Sequence, residues 1–287
     1  MRVNTLVSSD AIKALRSMPD CCVDLTVTSP PYNKRNKNQG WLVTNEKYSH
    51  FDDHMPEAEY QLWQSEVLRE LFRVTKPGGS VFYNHKLRWE DGILIHPLEW
   101  LRGTLWSIKQ EIIWDRGLAA NMRGWRFWQV DERVYWLFKP KKLDTIGKEL
   151  RPRHAKMSSI WRIRPASRSE DHPAQFPIEL PLRIIYSLLG RNPSRPKLVL
   201  DPFCGTGTSL VAAKLLGHNY KGIDISPRYI SLARKRLTKI DDESQAFETE
   251  IGKHVIADTF AQRKKRGTVT WPFGPRPVPE QNGAPET

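Results

Sequence analysis

The sequence lacks the features that would send it into a membrane or out of the cell. No run approaches the ~18 apolar residues of a membrane span. The opening MRVNTLVSSD has no apolar stretch of the kind a secretory signal needs, so the chain is expected to be cytosolic. Cysteine is scarce: Cys21, Cys22 and Cys204 are the only three. That excludes a disulfide framework and any zinc spacing, and all three read as small buried or half-buried thiols. Acidic residues are also in deficit, 32 against 45 Lys and Arg, for a formal charge of +13. Such an excess favours a polyanionic partner, nucleic acid before an anionic membrane surface. A basic solubility surface is the plainer alternative. There are no internal repeats, no heptads and no visible metal cluster.

Strand and helix patterns alternate along the chain. RVNTLVSSD reads as a strand and DAIKALRSMPD as a helix with Asp10 as its cap. The β-branched run VDLTVTS, bounded by prolines, suits a buried strand. Residues 33–50 are polar and aperiodic, a long loop of the kind that carries function or is disordered. Tyr60, Trp63, Val67, Leu71 and Val74 fall at helical spacing before Lys76-Pro77-Gly78-Gly79, which is expected to stop the helix. SVFYNH, QEIIWDR and DERVYWLFK read as strands, and PLEWLRGTLW as a helix. Trp125, Phe127 and Trp128, beside Arg123 and Arg126, are expected to pack in the core next to a strand; holding nucleic-acid bases is their alternative. From Lys139 to Arg168 basic residues crowd against only Asp144 and Glu149, with no apolar period. PIELPLRIIYSLLG is an amphipathic helix ending at glycine. The last twenty or so residues are proline-rich and read as a mobile tail. The alternation implies an α/β fold, a mostly parallel sheet with helices on both faces.

KLVLDPFCGTGTSLVAAKLLGHNYKGIDIS carries the most physical information: strand, glycine-rich turn, helix, strand. Gly205 and Gly207 allow a tight turn and close approach of a ligand to the backbone, and the helix opening near Thr208 points its N-terminus at the same place. Ligands bind at such carboxyl ends of parallel strands. The third small residue of a dinucleotide fingerprint is absent, because Leu210 stands there, and no Gly-Lys-Ser/Thr follows as in a P-loop. Asp224 ends the next strand, where it would accept hydrogen bonds from a ribose. Upstream, TSPPYN (28–33) closes the VDLTV strand on two prolines, which fix φ and give no N–H.

DPFCGTGTS with GIDIS resembles the S-adenosylmethionine (AdoMet) site of the DNA methyltransferases that act on amino groups. TSPPYN resembles their catalytic Asp/Asn/Ser-Pro-Pro-Tyr/Phe motif, and HPAQFPIELPLRII (172–185) resembles the segment before their glycine-rich strand. The order, catalytic motif, basic segment, cofactor motif, is that of the permuted β group. The resemblance covers residues 1 to about 240. It implies an AdoMet-dependent methyltransferase (Rossmann-like) fold with circularly permuted motifs. Residues 1–138 would be the catalytic half, 139–170 a basic target-recognition segment, 171–264 the AdoMet-binding half of the same domain and 265–287 the tail.

The resemblance also implies the site residues. Ser29, Pro30, Pro31 and Tyr32 would be catalytic. Ser29 Oγ and the Pro30 carbonyl would accept the two N–H bonds of an exocyclic amine and so free its conjugated lone pair, while Tyr32 stacks on the base. The base would first be flipped out of the duplex, at a cost of a few kcal/mol. Phe203, Gly205, Thr206, Gly207 and Thr208 would line the AdoMet pocket, with Asp201 near the methionine amine, Asp224 on the ribose and Phe176 at the methionine end. Asp10 would bind the adenine amine or simply cap its helix. His172 looks catalytic, but the mechanism gives it no task. Arg151, Arg153, Lys156, Arg162, Arg164 and Arg168 would contact DNA phosphates or guanine edges. Ser-Pro-Pro-Tyr and HPAQFP tilt the target to cytosine N4; Asn33 keeps adenine N6 open. Double-stranded DNA is the implied partner, with room for a homodimer and a cognate restriction endonuclease. No metal and no membrane are expected. A methylase of RNA or of a protein amide, and a non-catalytic nucleic-acid-binding relative, are the other readings.

Overall fold

The computed structural model describes residues 1–33, 55–119, 124–141, 158–166, 177–254 and 260–267. Its centre is a sheet containing β1 (Thr5–Ser8), β2 (Val23–Thr28), β3 (Thr75–His85), β6 (Ser107–Asp115), β7 (Asp131–Phe138), β8 (Ile160–Arg162), β9 (Leu198–Asp201) and β10 (Asn219–Asp224). The strand order is β1-β10-β9-β2-β3-β7-β6-β8. The run from β1 to β3 is parallel, β7 is antiparallel to both its neighbours, and β8 returns parallel to β6. A small hairpin, β4 (Arg88–Glu90) with β5 (Ile93–Ile95), stands apart.

Helices cover both faces, as the alternation predicts. α1 (Ala11–Arg16), α2 (Glu57–Val74) and the short α3 (Leu98–Leu101) pack on one face over Val23, Val81, Tyr83 and Tyr135. α4 (Glu179–Leu189), α5 (Thr208–Leu215), α6 (Pro227–Thr238) and α7 (Ser244–His254) pack on the other, over Leu25, Val27, Phe82 and Trp136. α2 buries Tyr60, Gln64, Val67, Leu68, Leu71 and Val74, a stripe at three- and four-residue spacing. Asp10 caps α1, its Oδ1 accepting from Lys13 N at 2.9 Å. Gly190 ends α4 with φ 83°.

Four elements depart from expectation. α2 ends at Val74, just before Lys76-Pro77-Gly78-Gly79 as expected, but β3 begins at once at Thr75, so these four residues open the strand ahead of SVFYNH. Gly78 N donates to Lys139 O (2.7 Å) and Lys139 N to Gly79 O (3.0 Å), and a Cβ on Gly79 would lie 2.9 Å from Asp24 O. Inside the basic stretch, Ile160–Arg162 forms the edge strand β8, with Trp161 buried and its Nε1 donating to Ser158 O. Trp125, Phe127 and Trp128 are not core residues: they are 57%, 99% and 60% exposed. They lie between β6 and β7 and outside both buried clusters. α7, unmarked in the sequence, docks through Phe247 and Ile251 and through a buried Arg183–Glu250 pair at 2.8 Å. Among the described residues no helix is long and apolar enough to cross a membrane, and no group of His, Cys, Asp or Glu is arranged to hold a metal.

Candidate active site

The sheet order brings the two motifs together. β2 and β9 are neighbours, so TSPPYN and DPFCGTGTS leave the sheet side by side at the carboxyl ends of parallel strands. Thr28 Oγ1 donates to Asp201 Oδ1 at 2.8 Å, a bond between residues 173 apart in sequence.

In the glycine-rich turn, Gly205 and Gly207 have φ 49° and 81°, in the left-handed region. Asp224 shapes the turn: Oδ2 accepts from Gly205 N and Oδ1 from Ser226 N, both at 2.9 Å. Gly222 makes room below it, because a Cβ there would collide with Leu210 Cδ1 and come within 2.8 Å of Leu6 Cδ2. Asp201 is buried and accepts from Thr28, from Phe203 N (3.1 Å) and from Ser209 Oγ. Burial pushes its carboxyl up to about 6, with the bonds from Ser209 and Thr28 pulling the other way. Thr206 is buried, and Thr208 Oγ1 accepts from Arg236 of α6 at 2.7 Å. The Phe203 ring meets Trp63 edge-on at 5.7 Å. The turn DPFCGTGTS, with the Asp224 carboxylate beside it, brings two carboxyl groups together, acceptors that suit hydroxyls and an ammonium. Asp10 follows β1, whose last residue Ser8 lies beside Asp224.

At TSPPYN, Ser29 Oγ lies 2.6 Å from Tyr32 OH, and Tyr32 OH donates to Glu132 Oε2 at 2.9 Å. Asn84 Nδ2 donates to Tyr32 OH (2.7 Å), to Glu132 Oε2 (2.8 Å) and, at 3.3 Å, to Ser29 Oγ. Glu132 is buried, with Arg116 NH1 at 3.2 Å and Lys86 Nζ at 3.4 Å from Oε1. Burial pushes its carboxyl up. Lys86, Arg116 and the bonds from Asn84 and Tyr32 outweigh that and hold it below the usual range, so it stays ionised.

The ionised carboxylate fixes the direction of the whole chain of bonds. It accepts only, so the Tyr32 O–H donates a hydrogen bond to it. The Tyr32 oxygen is then open to accept a hydrogen bond from the Ser29 O–H, which leaves Ser29 presenting a lone pair.

The prolines are held from behind. Tyr60 OH donates to Pro31 O at 2.6 Å and lies 2.6 Å from His85 Nε2. No hydrogen bond among the described residues ends on the Pro30 carbonyl. Burial, with Arg88 nearby, pushes His85 down to about 3, so it is neutral. Arg88 grips Glu57 with two bonds of 2.5 and 2.7 Å and lies 4.7 Å from the Tyr60 ring centre. The Tyr32 phenol thus joins the polar cluster, while its ring tilts on His85 at 4.9 Å.

Asn84, Lys86, Arg116 and Glu132 were not singled out from sequence. Their only sequence signal is polarity inside strand patterns: Asn84 in SVFYNH and Glu132 in DERVYWLF. Of the expected DNA contacts, Arg162 and Arg164 are exposed on or just beyond β8, with Arg162 Nε 3.5 Å from Asp115. Arg151, Arg153, Lys156, Arg168, Phe176 and His172 lie outside the described residues.

Comparison with known proteins meets this geometry. A family model described as DNA methylase matches residues 23–235. The chain is 29% identical over 259 residues to the type II methyltransferase M.HinfI of Haemophilus influenzae, covering 83% of this chain and 69% of that one. It is 29% identical over 279 residues to M.BglII of Bacillus subtilis, covering 85% and 72%. Among solved structures, TTHA0409 of Thermus thermophilus, described as a DNA modification methylase and complexed with S-adenosyl-L-methionine, matches with TM-score 0.57 at 26% identity, over 82% of this chain and 95% of that one. The cytosine-N4-specific PvuII DNA methyltransferase shares the fold with TM-score 0.59 at 17% identity, over 83% and 91%. With the family model spanning both motifs and the strands between them, the chain belongs to the N6/N4 family of DNA methylases, enzymes that methylate amino groups of DNA bases.

Proposed function

We propose that this chain is a site-specific DNA methyltransferase that transfers the methyl group of AdoMet to the exocyclic N4 of a cytosine flipped out of duplex DNA. The observation that carries the reading is the Ser29 hydroxyl. It is committed as an acceptor by Tyr32 and Glu132, and it stands one residue from the Thr28–Asp201 bond that ties the catalytic strand to the glycine turn.

The residues present fit AdoMet. Asp224 would take the ribose hydroxyls, Asp201 would lie toward the methionine amine, and Phe203 would give an apolar wall. Gly205, Thr206, Gly207 and Thr208 would line the pocket with backbone, and Asp10 and Phe176 would complete its two ends. Bound there, AdoMet supplies an electrophilic methyl group on a sulfonium sulfur. The chain's own part is to bind and orient the base. Ser29 Oγ and the Pro30 carbonyl accept the amine's two N–H bonds and draw its lone pair out of ring conjugation. Pro30 and Pro31 fix the direction of that carbonyl at low entropic cost. Positioning is the main contribution, and the Tyr32 ring flanks the base.

On this reading the motif order is that of the permuted β group, with residues 1–138 and 171–264 as halves of one domain. Residues 139–170 form the target-recognition segment, with Arg151, Arg153, Lys156, Arg162, Arg164 and Arg168 on DNA. A homodimer would give a short recognition segment more grip, and a cognate restriction endonuclease is the natural partner. Adenine N6 is the second reading, favoured by Asn33 after the motif, since its amine also offers two N–H bonds. Digesting enzyme-treated DNA to nucleosides and weighing them tests both. N4-methylcytosine is expected; methyladenine alone overturns the base assignment, and neither product across several DNAs overturns the function.

A further inference from the structure

Segment 124–130, between β6 and β7, is anomalous for a surface. Phe127 is 99% exposed, Trp128 60% and Trp125 57%, and Ile93 (71%) and Leu94 (44%) of the β4–β5 hairpin are exposed as well. The Trp125 end of the segment is braced. The Arg126 guanidinium lies 3.9 Å from the Trp89 ring centre and 5.5 Å from that of Trp125, and Trp89 meets Trp125 edge-on at 6.4 Å. Arg126 NH1 also donates to Phe127 O at 3.0 Å.

The cluster is anchored to the catalytic network from both sides. Arg116, which pairs with Glu132, donates its backbone N–H to Val130 O (2.9 Å) and its NH2 to Gln129 O (3.4 Å). The hairpin carrying Trp89 begins two residues after Lys86, the other cation on Glu132. Aromatic faces beside a cation suit stacked bases on an anionic backbone. A two-fold contact with a second copy would instead bring Arg126 of each copy toward the same apolar surface.

We propose that Trp125, Phe127 and Trp128, with Arg126 against the Trp125 ring, form a stacking surface for DNA bases left unpaired when the target base leaves the helix. This rests on the DNA-methyltransferase reading, and it assigns the exposed aromatic segment a task in holding the opened duplex. The test is binding rather than turnover, so that it fails or succeeds independently of that reading. Affinities of wild type, Phe127→Ala and Trp128→Ala are measured for a mixed-sequence single strand and for an abasic strand of equal length, across a salt series, with AdoMet binding as the check on folding. Each variant should lose at least about fivefold on the normal strand, the lower end for one base–aromatic stack. It should lose nothing on the abasic strand, and its salt slope should be unchanged because no phosphate contact is removed. Unchanged affinity for the normal strand, or equal loss on the abasic strand, overturns the proposal. So does a change of oligomeric state by light scattering with DNA affinity intact, which would assign the patch to a second copy.

Discussion

Replacing Glu132 by Gln reverses a hydrogen-bond direction without removing volume. Arg116 and Lys86 flank Oε1, so the introduced amide will turn its oxygen toward them and its NH2 toward Tyr32 and Asn84. Tyr32 then accepts from that NH2 and sends its own proton to Ser29. Ser29 in turn aims its proton at the amine, donor against donor. A hydrogen bond involving a charged group is worth about 1.5–3 kcal/mol, which converts to a fall of about 10- to 150-fold in the methyl-transfer rate. The two cations also lose their buried counter-charge, a break that costs about 3–5 kcal/mol of stability in comparable pairs, so rates are measured well below the variant's melting midpoint. The assay is single-turnover transfer from methyl-labelled AdoMet to DNA, with AdoMet affinity measured by calorimetry on the same sample. The rate should collapse while AdoMet affinity holds, and adding Asn84→Asp should recover part of the rate by restoring a carboxylate to the cluster. A Glu132→Gln enzyme with the wild-type rate, or one whose AdoMet affinity falls in step with its rate, refutes the reasoning.

Gly222→Ala should cost about 1–3 kcal/mol by overpacking, since its Cβ would collide with Leu210 Cδ1 and lie 3.0 Å from Cys204 Sγ; urea unfolding reads the loss. Asp201, pushed up to about 6 by burial, holds its proton in the folded chain at pH values where the unfolded chain, near 3.9, has released it. Its contribution therefore favours folding below about pH 4, weakens as pH rises through the window to about 6 and is flat above. That loss is on the order of 3 kcal/mol, and Asp201→Asn should flatten this part of the stability curve; an unchanged slope would contradict it. Asp224→Ala removes the acceptor for Gly205 N and Ser226 N and should weaken AdoMet binding at least about tenfold, one or more lost charged hydrogen bonds, with little effect on DNA affinity in the absence of AdoMet.

The parts of the candidate site that sit on one short segment stand out in the sequence. Ser29 to Tyr32 and Gly205 to Asp224 announce themselves because proline and glycine chemistry is local, and so does the strand–helix alternation that gives the sheet. The cluster that orients Ser29 was not legible. Asn84 and Glu132 lie on β3 and β7, which pair antiparallel with Asn84 opposite Val134, and nothing in either strand names its partner. The aromatic segment misled for a related reason. Trp125, Phe127 and Trp128 have core composition, but burial depends on which element covers them, and neither buried cluster includes them. α7 was missed because its apolar face is narrow, with Phe247 and Ile251 packing against α4 and α5.

The most direct test of the account is Ser29→Ala. This residue is half-buried, its Oγ lies 2.6 Å from Tyr32 OH, and the proposed function makes it an acceptor for the amine. AdoMet affinity and the single-turnover methylation rate are measured side by side. The account predicts wild-type AdoMet binding, because the glycine turn is untouched, with most of the turnover lost. Equal loss of both would make Ser29 a structural support of the cofactor strand, and retention of both would remove it from the chemistry.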